Sequence, residues 1–201
     1  MRTMFETQLA AAPGAQDHPS LALVNSVGYL VGGRGYDELS TPAAATAWLL
    51  ARDLVGPEAE LLEQCQGRLV ALRANLRVLF DAHTTGSAPA TSAVHALNAA
   101  LTCAPGALLL RFDMQSGFSR RAEHPVTQVV EHVMAVIADD AASLLTGDQA
   151  PQLAPCEADP CQRFFVRTHA RRQWCSTRCG DRVRAARAYT RKRSLHNAQT
   201  V

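Results

Sequence analysis

The chain has 201 residues, 47% hydrophobic and 19% charged, which is enough for one or two domains with an apolar core. It lacks the run of about 18 apolar residues that a transmembrane helix needs. Its N-terminus also lacks the apolar segment of a secretory signal, so we expect a cytoplasmic protein without a membrane partner.

Residues 1–150 carry nine arginines and fifteen acidic residues, whereas residues 151–201 carry eleven basic and three acidic residues. This asymmetry predicts an acidic body and a basic region that contacts nucleic acid, the alternative being a solvated surface without a partner.

The apolar pattern predicts a flexible arm over residues 1–17 and a mainly helical body over residues 18–146. Leu21–Val27 is short and apolar, and it is predicted to be a strand or a buried extended segment. A glycine-rich loop follows, and Thr41 or Ser40 before Pro42 indicates the start of a helix. We expect helices over 43–54, 57–84, 92–101 and 125–145, and a β-hairpin formed by 108–112 and 118–124. The second helix has an apolar stripe at three- and four-residue spacing, formed by Leu61, Cys65, Leu69, Leu72, Leu76 and Leu79.

Four closely spaced cysteines follow a predicted linker over residues 147–155. The first pair is five positions apart and the second pair is four positions apart. The loop between the pairs brings four sulfur ligands together, as a closed tetrahedral metal site requires. Such a site is structural, and we predict one zinc ion, although the spacing alone does not exclude iron. Two disulfides are the alternative, disfavoured in a reducing compartment. Cys65 and Cys103 are expected to be buried small side chains. The predicted ligands are Cys156, Cys161, Cys175 and Cys179.

The cysteines define a module over residues 156–193, followed by a tail over 194–201. Ser176 is the predicted N-cap of a helix that begins at Thr177. A small hairpin is expected from 164–166 and 172–174, with Phe164, Val166 and Trp174 as a miniature core. The predicted fold class is therefore α+β, a multihelical body followed by a treble-clef-like zinc module that ends in a basic helix. Loss of Cys175 is expected to release zinc while the body stays folded.

A basic stripe runs along the predicted C-terminal helix. At about 100° per residue, Arg184, Arg187 and Arg191 share one face, which suits contacts to a nucleic-acid backbone or groove. Val183, Ala186 and Tyr189 are predicted to face the zinc module. Arg182 is predicted to pack over the metal site or to pair with an acid, and not to touch a ligand. The predicted DNA contacts are Arg171, Arg172, Arg184, Arg187, Arg191, Lys192 and Arg193.

The run from Arg171 to Arg182, Arg-Arg-Gln-Trp-Cys-Ser-Thr-Arg-Cys-Gly-Asp-Arg, resembles the signature of the CGNR zinc-finger family. The first cysteine pair matches that family's first ligand pair, so the resemblance implies the same zinc site. Asp181 stands where the family usually has Asn, which adds negative charge beside the proposed nucleic-acid surface.

The body resembles the ABATE domain that precedes this finger. The matching features, in chain order, are His18-Pro19, Leu21–Ser26, Asp37–Pro42 leading to Trp48-Leu49, and Ala96–Asn98. Ala22 and Leu23 replace the Asp and Phe that are usual in the first stretch. The resemblance implies a bacterial stress-response transcription regulator with a ligand-sensing body.

The leading hypothesis is a zinc-containing, DNA-binding regulator whose body senses a small molecule or mediates assembly. A homodimer is expected, because one basic helix gives modest affinity. Asn25 and Trp48 are the candidate contacts to the effector, although each residue type is more often structural. The alternative is a zinc-stabilised protein-interaction adaptor. An enzyme is disfavoured because the chain has no His-Glu-x-x-His, Gly-x-Ser-x-Gly or glycine-rich phosphate-loop motif.

Overall fold

The computed structural model of the chain describes residues 10–29, 33–104, 108–122 and 129–198. Within these ranges the fold is α+β, as predicted, with six α-helices and three two-stranded antiparallel sheets. No helix in the described part of the chain is long and apolar enough to cross a membrane.

The body is built around the long helix α3, Glu63–Thr85, which contacts four other helices. These are α1 (Pro19–Val24), α2 (Pro42–Leu50), α4 (Thr91–Leu101) and α5 (Val129–Thr146). Gly86 ends α3 in the left-handed region at φ 68°, which glycine adopts at little cost. The predicted leucine stripe of α3 is buried in the core, and it comprises Leu69, Leu72, Leu76 and Leu79.

The prediction of a strand or a buried extended segment at Leu21–Val27 is wrong about the backbone, because most of this segment is the helix α1. Pro19 lies in the first turn of α1, where its missing N–H removes no helical hydrogen bond. Every residue from Ser20 to Val24 is buried, since α1 contacts both α3 and α5. A helix buried on all sides lacks the one-sided apolar period by which helices are recognised in a sequence.

The glycine-rich stretch after α1, predicted to be a loop, contains a short hairpin. Strand β1, Val27–Tyr29, pairs with β2, Gly35–Asp37. Asp37 accepts hydrogen bonds of 2.6 and 2.8 Å from the buried guanidinium of Arg73 on α3. This bidentate ion pair ties the hairpin to the helical core.

Helix α2, Pro42–Leu50, confirms Thr41 as its N-cap. The Thr41 hydroxyl accepts a 3.1 Å hydrogen bond from the backbone N–H of Ala44. Helix α2 ends at Leu50, four residues before its predicted end, and helix α3 begins at Glu63, six residues after its predicted start. The predicted start of α5 at residue 125 lies outside the described residues.

The predicted hairpin is present, formed by β3 (Leu108–Asp113) and β4 (Gly117–Ala122). The rings of Phe112 and Phe118 lie 4.9 Å apart on it. Several large apolar side chains of this hairpin are more than half exposed, namely Leu110, Phe112, Met114 and Phe118.

Residues 147–155 do not form the predicted linker. Ala150–Gln152 is a 3₁₀ turn, and Leu153–Pro155 is strand β5, which pairs with β6, Phe164–Val166. The predicted partner of β6, residues 172–174, lies outside this sheet, because the Gln173 carbonyl accepts instead from Glu157. The chain therefore enters the zinc module through a paired strand.

The N-terminal segment is also more ordered than the predicted flexible arm, whose residues 1–9 lie outside the described part. Pro13 accepts a 2.9 Å hydrogen bond from the Val166 N–H, which extends the contacts of β6. Gly14, at φ 84°, approaches Val166 so closely that a Cβ would lie 2.7 Å from its Cγ2. Residues 10–17 therefore pack against β6.

Candidate metal centre and basic helix

The four predicted ligands converge at one point. Their sulfur atoms all lie within 4.8 Å of one another. The Sγ atoms of Cys161 and Cys175, and those of Cys175 and Cys179, are each 3.7 Å apart. Zinc–sulfur bonds of about 2.3 Å in a tetrahedron place the sulfurs about 3.8 Å apart, so the donor set fits zinc. The four thiols hold one structural zinc ion and leave no open coordination position.

Backbone hydrogen bonds fix both cysteine pairs. Cys156 follows β5 and donates its N–H to the Arg163 carbonyl at 2.8 Å, while Cys161 donates to Ala158 at 2.7 Å. Cys175 precedes helix α6, Thr177–Ala198, and Cys179 lies in its first turn. The predicted cap is confirmed, since Ser176 Oγ accepts from the Cys179 N–H at 3.2 Å. Sheet and helix therefore each present two sulfurs.

The thiols hydrogen-bond to one another. Hydrogen bonds from Cys161 and then from Cys175 lower the pKa of Cys156. The hydrogen bond to Cys156 raises the pKa of Cys161, and the one to Cys156 also raises the pKa of Cys175. Four thiolates at this spacing repel one another and require a cation, and zinc binding displaces the thiol protons.

Two arginines pack beside the ligands. The Arg182 guanidinium donates to the Ala158 carbonyl at 2.8 Å and lies 3.9 Å from Cys179 Sγ. It therefore packs over the metal site, one of its two predicted places, but it touches a ligand, which was not predicted. Arg172 donates to the carbonyls of Trp174 and Cys175, at 3.0 and 3.3 Å, and stands 5.8 Å from the Phe165 ring centre. Among the predicted DNA contacts, Arg172 is therefore held by the zinc module itself.

The miniature core of the zinc module differs from the prediction. Phe165, on the inner face of β6, packs with Cys156, Cys175 and Cys179. Phe164 and Val166, on the other face, belong to the core of the body. The prediction for these two side chains is wrong because neighbouring residues of a strand point to opposite faces. Trp174 packs at the edge of the metal-site cluster.

Gly180 allows a close contact that the sequence did not indicate. A Cβ at this position would lie 2.8 Å from Trp174 Cε3, a separation at which one atom must move. Arg184 stacks on the same indole, with its guanidinium carbon 5.5 Å from the ring centre. Glycine thus lets Trp174 lie against the first turn of α6.

Gly180→Ala is expected to destabilise the zinc module by about 1–3 kcal/mol, because the added methyl overpacks the indole contact. The matched control is Gly67→Ala on α3, where no atom lies within 4 Å of the new methyl. That change should be neutral or stabilising by up to about 1 kcal/mol. Chemical unfolding in excess zinc measures both, and equal stability of the two variants would contradict the contact.

Beyond its first turns, α6 extends into solvent. Val183 packs against the zinc module as predicted, but Ala186 and Tyr189 are exposed, Tyr189 by 69%. The predicted inner face therefore ends near Val183. Arg184 forms an ion pair with Asp181 at 2.6 Å. Asp181, which replaces the usual Asn of the finger signature, therefore partly neutralises the charge of Arg184. The remaining predicted contacts are exposed and form no ion pair with described residues, namely Arg171, Arg187, Arg191, Lys192 and Arg193.

Comparison with protein families agrees with this geometry. Residues 17–148 match ABATE, described as "Putative stress-induced transcription regulator". The chain belongs to the ABATE family. Residues 152–192 match the CGNR zinc finger, which contains the four sulfur ligands. No curated protein matches the chain. The chain is thus a zinc-binding protein of a regulator family.

The ABATE domain and the finger share one hydrophobic core. Asn25, a candidate effector contact, donates to the Phe164 carbonyl and accepts from the Phe164 N–H, each at 2.8 Å. The Phe164 ring meets Phe80 of α3 edge-on at 5.7 Å. The Asn25 carboxamide therefore joins the ABATE domain to the finger. Asn25 also lines a cavity, whereas the second candidate, Trp48, is 4% exposed and packs in the core.

Proposed function

We propose that the chain is a cytoplasmic, DNA-binding transcription regulator of a bacterial stress response, in which the ABATE domain senses a small molecule. The observation that carries the proposal is the exposed basic length of α6 beyond the zinc site. Seven basic residues and one acidic residue lie between Thr177 and Ala198. The zinc ion fixes the first turn of this helix, so it presents the charges in a defined direction.

The size and charge of α6 suit a nucleic-acid backbone. A helix of 22 residues is about 33 Å long, close to one turn of B-form DNA. Contacts to three to five phosphates would give modest affinity with a salt slope of about −0.9 per contact. We therefore propose that the regulator acts as a homodimer, which light scattering of the purified protein tests directly.

Charge reversal tests the DNA-binding proposal. Arg187→Glu with Arg191→Glu is expected to abolish binding to a duplex selected from genomic DNA, measured by fluorescence anisotropy. Arg187→Ala with Arg191→Ala should reduce the salt slope by about 2, because two phosphate contacts are lost. The control is Arg34→Glu, which lowers the net charge by as much as the double alanine variant but at an exposed site on the body, and it should leave the salt slope unchanged. Unchanged affinity of the doubly reversed variant at full zinc content would refute the assignment of α6.

We propose a regulator and not an enzyme. Among described residues, the one group of side chains with metal-ligand geometry consists of the four thiols, which close the coordination sphere. Ser20 and His18 both bind Asp140, at 2.5 and 2.8 Å, so the imidazole does not lie between the acid and the hydroxyl. That order differs from a nucleophile-activating chain, in which the base contacts the nucleophile.

A protein-interaction adaptor is the second candidate, and the β3–β4 hairpin favours it. Its large exposed apolar side chains resemble a contact surface for another protein. Salt-dependent DNA binding by the purified protein distinguishes the two, because an adaptor would show none.

A further inference from the structure

A cavity of about 660 Å³ lies at the junction of the N-terminal segment, the ABATE domain and the zinc module. Ligand sites of small-molecule size usually measure roughly 300–1,000 Å³. Residues from all three parts line it, including Ala15, Ala22, Asn25, Tyr36, Arg52 and Arg163. A molecule bound there would touch the body and the finger at once.

Arg163 is the unusual member of this lining. It is 8% exposed, yet no carboxylate among the described residues forms an ion pair with it. Its Nη2 donates to the Ala10 carbonyl at 2.9 Å, while its Nε is buried without a hydrogen-bond partner. A buried guanidinium without a direct ion-pair partner is costly, and an anion in the adjoining cavity would reduce the cost.

We propose that this cavity binds a small organic monocarboxylate whose carboxylate pairs with Arg163. The planar guanidinium suits a carboxylate. The second arginine of the lining, Arg52, pairs with Glu38 at 3.8 Å, so Arg163 is the lining cation left for a ligand. Asp53 and Glu38 would repel a polyanion such as a nucleotide more strongly than a single carboxylate. Ala15, Ala22 and Leu54 provide apolar surface for the rest of the ligand.

The position of Arg163 links this site to the metal centre. Its carbonyl accepts from the N–H of the zinc ligand Cys156, and the next residue, Phe164, is held by Asn25 of the ABATE domain. An anion bound to Arg163 would therefore act at the residue just before β6, next to both contacts. That regulatory consequence rests on the proposed DNA-binding function, whereas the binding site itself does not.

Isothermal titration of the full zinc-loaded chain with benzoate, and with benzamide as its uncharged analogue, tests the site without DNA. Benzoate should bind at least tenfold more tightly than benzamide, and more tightly than inorganic phosphate. Arg163→Gln should remove this preference. Arg167→Gln should keep it, because Arg167 also has a buried, unpartnered Nε but does not line the cavity. Zinc content and thermal unfolding verify the fold of both variants.

A second variant covers the case in which Arg163→Gln loses zinc. Ala51 is exposed at the cavity rim, so Ala51→Phe fills space without entering the core, and it should weaken benzoate binding at least tenfold. Absent benzoate binding, equal binding of benzamide, tighter binding of phosphate, or insensitivity to both variants would each overturn the proposal. A benzoate-dependent change in DNA affinity then tests the regulatory link alone, since loss of DNA binding leaves the titration unaffected.

Discussion

Replacement of Cys175 by Ser is expected to release the zinc ion and to destabilise the whole chain, including the ABATE domain. The first effect follows from the four-sulfur site, because a hydroxyl is a poor substitute for a thiolate on zinc. The second follows from the shared core, in which Leu153, Phe164 and Val166 of the zinc module pack with the body helices. Zinc contributes much of the folding free energy of such small modules, so its loss should free these three side chains from the core.

The expected size of the second effect is large. Loss of one buried phenylalanine from a core costs about 3–5 kcal/mol, and about 1 kcal/mol lowers the melting temperature of a chain of this length by roughly 2–4 °C. We therefore expect the helical signal of Cys175→Ser to melt about 10 °C or more below that of the unaltered chain. This revises the sequence-based expectation that the body would stay folded by itself.

Metal analysis by mass spectrometry and thermal unfolding followed by circular dichroism measure the two effects. Cys65→Ser is the matched control, because Cys65 is a partly buried cysteine on α3 outside the metal site. Full zinc content in Cys175→Ser would contradict the metal centre. Zinc loss with an unchanged melting temperature would show that the body and the zinc module are independent.

The metal site was predictable because spacing along the chain determines it. Cys156 to Cys179 occupy 24 residues, and tight turns leave few ways to arrange four sulfurs other than a tetrahedron. The leucine stripe of α3 was predictable for a similar reason, since it repeats at the helical period. Both signals are local.

The junction between body and zinc module could not be predicted, because it depends on contacts between distant residues. Asn25 and Phe164 are 139 positions apart, and neither belongs to a motif that indicates the other. The two prolines after Gly147 suggested a linker, although Pro155 ends an edge strand, a position that proline tolerates. Arg163 likewise looked like one basic residue among many, and only its burial beside a cavity distinguishes it.

Phe164→Ala and Phe165→Ala are expected to have different effects, although the two residues are adjacent and both are almost fully buried. Phe164 contacts Phe80 in the body core, so its loss should lower the free energy of unfolding in excess zinc by about 3–5 kcal/mol. Phe165 packs with Cys156, Cys175 and Cys179, so its loss should mainly weaken zinc binding. Each variant is thus the control for the other.

Urea unfolding in excess zinc and competition with a chromophoric chelator separate these effects. We expect Phe165→Ala to give up its zinc at a lower chelator concentration than Phe164→Ala, and Phe164→Ala to unfold at the lower urea concentration. The opposite order would reverse the two faces of β6 and contradict the shared core. The order predicted here would show that a single three-residue strand has the core of the ABATE domain on one face and the zinc site on the other. Displacement of that strand would then affect the metal centre and the body together, which is the physical requirement for a signal to pass from the cavity at Arg163 to helix α6.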